Sequence, residues 1–202
     1  MLLIGVNRSP YTRRVAITLT HYRVPFEQRP LSGFDNRADV RGSNPLGRIP
    51  ALVLDNGETL VDSSAIIDHL DEAFGADQPT TPRAGPERRA VLRVAALMMG
   101  ACDKLLQAAY ERNRKPAEKQ HQPWIDDCVA QAQAALAAVD AMIDPGKPFL
   151  LLDRLTQADI CAVVAERLAR GAARIDTEQK MPRLRALAQG LAEMPAFQVA
   201  EP

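Results

Sequence analysis

The sequence NPLGRIPALVLDNGETLVDSSAII (residues 44–67) decides the fold, because it contains a loop, two strands joined by a tight turn, and the start of a helix. The apolar run at 51–54 predicts a short strand, and residues 59–61 predict its partner. Between them, Asp-Asn-Gly at 55–57 supplies residues that accept positive φ in a hairpin turn. The proline directly before the first strand needs an explanation, because proline has no N–H to give to a sheet.

Pro50 fits at the first residue of the strand or at a bend, where the Ile49–Pro50 bond would be cis. With a cis bond the Ile49 backbone would face outward, and its N–H and C=O would be free to pair with an extended peptide. A proline turn without any ligand is the simpler alternative. The sequence leaves both open.

Residues 62–64 have the sequence Asp-Ser-Ser where the next helix is expected to begin. Hydroxyls and unpaired N–H groups at a helix start favour an anion, and the carboxylate of Asp62 beside them favours an ammonium group. Such a place suits the zwitterionic head of an amino acid. An N-cap without a ligand has the same sequence pattern.

The preceding residues predict a strand from Leu2 to Val6 and a helix from Pro10 to Arg23, with Ser9 as its N-cap. The Ser9 hydroxyl either caps its own helix or points outward and donates to an anion at the same terminus. A strand at 25–30 and a short helix or turn at 35–41 complete the order β-α-β-α-β-β-α. This order predicts an α/β domain with a mixed sheet.

Residues 77–86 are rich in proline and glycine and predict a linker between a first domain at 1–76 and a second at 87–202. Beyond the linker, apolar residues recur at helical spacing and strand signals almost vanish. The second domain is therefore predicted to be all-helical, with a long first helix at 87–114.

A helix start is predicted near residue 156. Thr156 followed by Asp159 has the pattern of a capping box, and Leu155 and Ile160 are placed as its hydrophobic staple. We expect this cap to be structural. A last helix is expected to begin near Pro182.

The composition disfavours several classes of protein. The chain has 202 residues with 25 basic and 25 acidic side chains, a balance that gives no electrostatic basis for binding nucleic acid or a membrane. Its longest apolar run, 94–102, is far shorter than the ~20 residues that span a bilayer. No secretory signal precedes the first strand, which predicts a cytoplasmic protein. Three distant cysteines in helical patterns predict buried thiols, without disulfides or a metal site: Cys102, Cys128 and Cys161.

Four motifs together resemble those of the cytosolic glutathione S-transferases, in the bacterial type with serine at the catalytic position. They are SPYTRRV at 9–15, NPLGRIP at 44–50, DSSAI at 62–66 and LTQADI at 155–160. The resemblance covers nearly the whole chain. It implies a thioredoxin-like N-terminal domain, an all-α C-terminal domain, a homodimer and a role in detoxification.

The resemblance also implies glutathione as co-substrate and no metal. The cysteinyl backbone of glutathione would pair with Ile49 beside Pro50, and its γ-glutamyl head would bind Asp62 and Ser63. Arg48 would help neutralise the glycyl carboxylate. Relatives commonly carry glutamate or glutamine where this chain has the shorter Asp62.

Ser9 is implied as the catalytic residue, because a hydroxyl donor and a helix N-terminus stabilise a thiolate over a thiol. A cysteine there marks relatives that form mixed disulfides, which a serine cannot do. Asn7 and Thr12 are candidate secondary donors, with a solvated helix position as the alternative for Thr12. A second-substrate pocket is expected between the domains, and its candidate residues are Tyr11, Met98, Met99, Cys102, Leu106 and Tyr110. Packing in the protein interior is the alternative for each of them, and it is the more common fate of such side chains.

Two functions remain open on this basis. The first is an enzyme that transfers glutathione to a small electrophile, with peroxidase, isomerase or dehalogenase chemistry as variants. The second is a non-catalytic binding or regulatory protein of the same fold. The presence of Ser9 favours the enzyme, because a fold kept only for a partner has no need of a donor at the helix start.

Overall fold

The computed structural model describes residues 1–198 and residue 200, and it divides the chain into two compact units. The first unit contains Met1–Arg83 together with the segment from Ala192 onward, and the second is Ala84–Leu191. The boundary between residues 83 and 84 lies inside the predicted linker. The sequence prediction placed the segment from Ala192 onward in the second domain, whereas in the structure it groups with the first unit.

The first unit is built on a four-stranded mixed sheet. Its elements are β1 (Leu2–Ile4), α1 (Pro10–His21), β2 (Glu27–Arg29), α2 (Arg37–Arg41), β3 (Ala51–Val53), β4 (Thr59–Val61) and α3 (Ser63–Phe74). The strand order is β2-β1-β3-β4, with β1 parallel to β2 and both other pairs antiparallel. This confirms the predicted βαβαββα order and thioredoxin-like fold class. A short helix near the C-terminus, α9 (Pro195–Gln198), packs against α1.

One end of this sheet gathers three chain segments. Ile4 lies opposite Ala51, which in turn lies opposite Val61. β1 and β4 leave the sheet directly after Ile4 and Val61, whereas β3 enters it at Ala51. The segments 5–9, 49–50 and 62–63 are therefore brought to the same end of the sheet.

The β3–β4 hairpin forms where its turn sequence predicts it. The Leu54 N–H donates to the Glu58 carbonyl at 2.8 Å, and Gly57 adopts φ +87° in the turn. Apolar side chains from β1, β3, α1 and α3 form the core of the unit. They include Leu3, Leu52, Leu19, Ile66 and Leu70, all inaccessible to solvent.

The buried carboxylate of Asp71 in α3 holds the last residues of Met1–Arg83 by hydrogen bonds. It accepts hydrogen bonds from the Tyr22 hydroxyl, from the Thr80 N–H (2.9 Å) and hydroxyl (2.7 Å), and from the Thr81 N–H (2.9 Å). Burial, and then the bond to Asp71, raise the pKa of Tyr22 well above its ordinary value. Residues 80–81 of the predicted linker are thus tied to the first unit.

In the second unit, all the regular structure is helical. Its elements are α4 (Gly85–Arg114), a 3₁₀ turn (Ala117–Lys119), α5 (Gln122–Asp140), α6 (Gln157–Ala172), α7 (Thr177–Lys180) and α8 (Pro182–Ala192), the last ending at the unit boundary. α4 packs against both α5 and α6, and α6 is buried along most of its length. The predicted all-helical second domain is confirmed, as is a helix beginning at Pro182.

The capping box at the start of α6 is formed as predicted. The Thr156 hydroxyl accepts the Ala158 N–H at 3.2 Å, and the Asp159 carboxylate accepts the Thr156 N–H at 2.9 Å. The other Asp159 oxygen accepts the Leu150 N–H at 2.7 Å, which ties the preceding loop to the helix. Burial raises the pKa of Asp159, although these hydrogen bonds oppose the rise.

All three cysteines are buried thiols in helices, as their spacing predicts. Within the described residues, no helix combines the length and the apolar character needed to cross a membrane.

Candidate active site

Ser9 begins α1 at the end of the sheet where the three segments meet. Its Oγ accepts the Thr12 N–H at a long 3.4 Å, which confirms the predicted N-cap. A hydroxyl has two acceptor sites and one proton, so this capping bond leaves the O–H of Ser9 able to donate elsewhere. The two alternatives for Ser9 are therefore compatible. The helix terminus adds a partial positive charge to the same place.

The Ile49–Pro50 bond is cis, one of the two arrangements the sequence allowed. Ile49 is half-buried, and neither its N–H nor its C=O has a hydrogen-bond partner among residues 1–198. Just before the strand, the chain thus has one residue whose backbone can pair with an extended peptide.

Asn44 holds the loop that leads to Ile49. Its side chain is buried, donates from Nδ2 to the Arg48 carbonyl at 2.8 Å, and accepts the Leu46 N–H at Oδ1 at 3.1 Å. Sequence reasoning missed this residue. An asparagine two residues before a turn N–H is a recognisable local signal, but the bond to Arg48 is not.

The start of α3 presents polar groups beside this loop. Asp62 caps the helix, accepting the Ser64 N–H at 2.9 Å, and has a positive φ of 68°. In the described structure Ser63 has no hydrogen-bond partner for its hydroxyl or its N–H. The Ser64 hydroxyl accepts from Nη2 of the buried Arg14 at 2.9 Å, a contact between α1 and α3 that the sequence did not predict.

Three arginines lie around Gly47, which has φ +65°. A Cβ at Gly47 would lie 3.3 Å from Cγ of Arg37 and 3.5 Å from Cγ of Arg41, so the stems of both α2 arginines flank this glycine. Arg48 follows it in the chain, and all three arginines are exposed. Within the described residues none of them pairs with a carboxylate. The loop before Ile49 is thus strongly cationic.

Comparison with known families identifies both parts of the chain. Residues 3–80 match the N-terminal domain of glutathione S-transferases, and residues 122–189 match the C-terminal domain. The whole chain is 34% identical to the maleylacetoacetate isomerase of Pseudomonas aeruginosa and covers 96% of it. The chain belongs to the glutathione S-transferase family. The family inferred from its four motifs is confirmed.

Solved structures of other glutathione S-transferases have the same fold. One from Methylobacterium radiotolerans, in complex with glutathione sulfonate, matches 100% of this chain and 94% of its own with a TM-score of 0.92 and 27% identity. A family member from Pseudomonas fluorescens with bound glutathione matches 100% of this chain and 98% of its own, with a TM-score of 0.87 and 30% identity.

In the present chain, the two candidate secondary donors, Asn7 and Thr12, differ in their surroundings. The Asn7 side-chain oxygen accepts from Gln28 Nε2 at 2.7 Å, and the same Nε2 donates to the Gly5 carbonyl at 2.8 Å. Thr12 is fully buried, so the alternative of a solvated helix position was wrong. Thr12 therefore has no surface for a ligand to meet, whereas Asn7 and Ser9 are both partly exposed.

The candidate second-substrate residues fall into two groups. Met98 and Cys102 are inaccessible to solvent and belong to the hydrophobic core. The remaining candidates keep exposed surface, and they are Tyr11, Met99, Leu106 and Tyr110. Exposed side chains are the ones that an incoming molecule can meet without a rearrangement.

Proposed function

We propose that this protein is a glutathione transferase that binds glutathione at the end of its first-unit sheet and activates the thiol at Ser9. The unpaired backbone of Ile49 is the observation that carries this proposal. It lies between the start of α1, where the Ser9 hydroxyl keeps its proton, and the start of α3, where the hydroxyl and N–H of Ser63 have no partner in the described structure.

The tripeptide has one complementary group for each part of this site. Its cysteinyl backbone pairs with the N–H and C=O of Ile49 beside Pro50, as an added strand would. Its α-carboxylate binds the hydroxyl and N–H of Ser63, at the positive end of α3. Its ammonium group binds the Asp62 oxygen that the cap does not use, and its glycyl carboxylate faces Arg48.

Ser9 then donates its O–H to the glutathione sulfur. Because the hydroxyl bonds the thiolate more strongly than the thiol, it lowers the pKa of the bound thiol, and the partial charge of the α1 terminus acts in the same direction. The thiol proton passes to solvent. The thiolate attacks an electrophilic carbon, a sulfur–carbon bond forms, and the leaving group departs with its electron pair.

A second activity is favoured by the 34% identity to a maleylacetoacetate isomerase. The same thiolate can add to an activated carbon–carbon double bond, allow rotation about the resulting single bond, and leave again. The geometric isomer is released and glutathione is regenerated. This chemistry needs no residue beyond those that activate the thiol.

Ser9→Ala tests the proposal. We expect the wild type to be retained on immobilised glutathione, to conjugate an aryl halide, and to isomerise a maleyl compound if the second activity holds. The variant should bind glutathione but lose most turnover, since a hydrogen bond to a charged group contributes about 1.5–3 kcal/mol. Retention without turnover, for wild type and variant alike across a panel of electrophiles, would instead support the non-catalytic binding protein.

A cytoplasmic homodimer with a role in detoxification completes the proposal, on the basis of the family. Light scattering of the purified protein tests the oligomeric state. A monomer at micromolar concentration would contradict that part alone.

A further inference from the structure

The Thr12 hydroxyl is an exception among the buried polar groups. The side chain is 0% exposed, and its Oγ1 has no hydrogen-bond partner within the described residues. Leaving a buried donor and acceptor unsatisfied is costly, and native structures contain few such groups. A hydroxyl in this state calls for a physical reason.

Thr18 in the same helix has the usual solution. It is equally buried, and its hydroxyl donates to the Arg14 carbonyl one turn earlier at 2.8 Å. Thr12 stands at the third position of α1, so the residue four places earlier, Arg8, lies outside the helix. The carbonyl three places earlier belongs to Ser9 and accepts the Arg13 N–H at 3.0 Å, and the Thr12 hydroxyl does not bond to it.

The position of this hydroxyl connects both halves of the proposed thiol site. A Cβ built on Gly5 would lie 2.4 Å from Thr12 Oγ1 and 3.3 Å from Ile49 Cβ, so the Thr12 side chain fills the space over Gly5, next to Ile49. Its own N–H is the group that donates to Ser9 Oγ. Thr12 thus contacts the site on two sides, with its side chain next to Ile49 and its backbone N–H on Ser9 Oγ.

We propose that Thr12 is a positioning residue: its backbone N–H holds Ser9 Oγ, and its unpartnered hydroxyl turns its O–H dipole toward the thiolate and stabilises it at a distance. This inference rests on the proposed function. The oxygen is buried, so it does not touch the ligand. A hydroxyl without a partner can reorient without breaking a bond, and a dipole acts strongly in a buried, weakly screened environment. The unpartnered Thr12 hydroxyl lowers the stability of the fold, and the stabilisation of the bound thiolate offsets that loss.

Thr12→Val tests this, because valine has nearly the same shape and no hydroxyl. We expect the pKa of the bound glutathione thiol to rise by about half a unit, against one to two units for Ser9→Ala. The thermal midpoint should rise by about 2–4 °C, because an unsatisfied group has been removed. The thiolate absorbance of the enzyme–glutathione complex, followed against pH, gives the thiol pKa directly.

Two matched variants separate this from a general effect on α1. Thr12→Ser keeps the hydroxyl and should keep the wild-type thiol pKa. Thr18→Val removes a bonded hydroxyl, so it should lower the thermal midpoint and leave the thiol pKa unchanged. A wild-type thiol pKa in Thr12→Val would overturn the inference, as would an equal shift in Thr18→Val or a Thr12→Val protein too unstable to fold. If Ser9→Ala also leaves the thiol pKa unchanged, the proposed function itself fails.

Discussion

Asn44 gives a sharp test of how the loop before Ile49 is held. Asn44→Asp keeps the oxygen that accepts the Leu46 N–H but replaces the Nδ2 donor to the Arg48 carbonyl with a second oxygen. The new carboxylate oxygen and the Arg48 carbonyl, both acceptors, would then face each other at a site where the wild-type residue is only 3% exposed. A buried group that loses its partner costs about 1–3 kcal/mol.

The loop can relieve this repulsion by moving, and glutathione then binds only the fraction of molecules in the original conformation. If the whole cost falls on that equilibrium, the dissociation constant rises about 5- to 150-fold. Titration calorimetry with glutathione measures the affinity, and circular dichroism establishes that the variant is folded.

Asn56→Asp is the matched control. Asn56 also accepts the N–H two residues ahead, from Glu58 at 2.9 Å, but it is exposed and its side chain makes no second bond to any residue that the structure describes. This variant adds the same charge and should keep wild-type affinity. A folded Asn44→Asp protein with a dissociation constant within about twofold of the wild type would refute the role of the Arg48 bond. Equal weakening in both variants would assign the effect to charge.

Three further predictions concern stability. Asp71→Asn weakens the bonds to Tyr22 and Thr80 and leaves an N–H group facing a backbone N–H, so urea unfolding should detect a loss of roughly 3–5 kcal/mol; a loss below about 1 kcal/mol would contradict this. The pKa of Tyr22 is raised in the folded state from its ordinary 10.0, so its contribution to stability is present below about pH 10 and lost above it; thermal melts should show a steeper alkaline fall in the wild type than in Tyr22→Phe. Thr156→Ala should cost about 1–2 kcal/mol in the same unfolding assay, whereas Thr156→Ser should cost clearly less, since it keeps the capping oxygen.

The features that the sequence predicted correctly depend on neighbouring residues. Ser9 caps the helix that starts one residue later, Asp159 reaches the N–H of Thr156 three residues earlier, and the hairpin depends on Gly57 between its strands. Such signals act over a few positions, so they survive in a linear sequence.

The features that the sequence did not predict depend on contacts between distant segments. Asp71 meets Tyr22 across 49 positions, and no local pattern marks either of them as a partner. The segment from Ala192 onward follows a helical domain in the chain, yet it groups with the first unit, where α9 packs on α1. Composition and periodicity do not report which distant segments pack together.

Thr12 is a different case, because its burial could be predicted from the sequence. It precedes Val15 by three residues and Leu19 by seven, and this spacing places it on the apolar face of α1. Its polarity suggested an accessible donor or a solvated position instead. A hydroxyl in the first turn of a helix has no carbonyl four residues earlier within that helix, and this marks Thr12 as a buried group that lacks the usual acceptor.

The proposed site makes double use of its polar groups. Ser9 accepts a backbone N–H with one lone pair and keeps its proton, and Asp62 caps α3 with one oxygen and has a second. Deleting either side chain therefore removes a helix cap and a site group together, so an alanine variant is informative only when glutathione binding or the thiol pKa is measured beside turnover. Substitutions that keep the capping atom and remove only the remaining group are the ones that separate a binding role from a structural role.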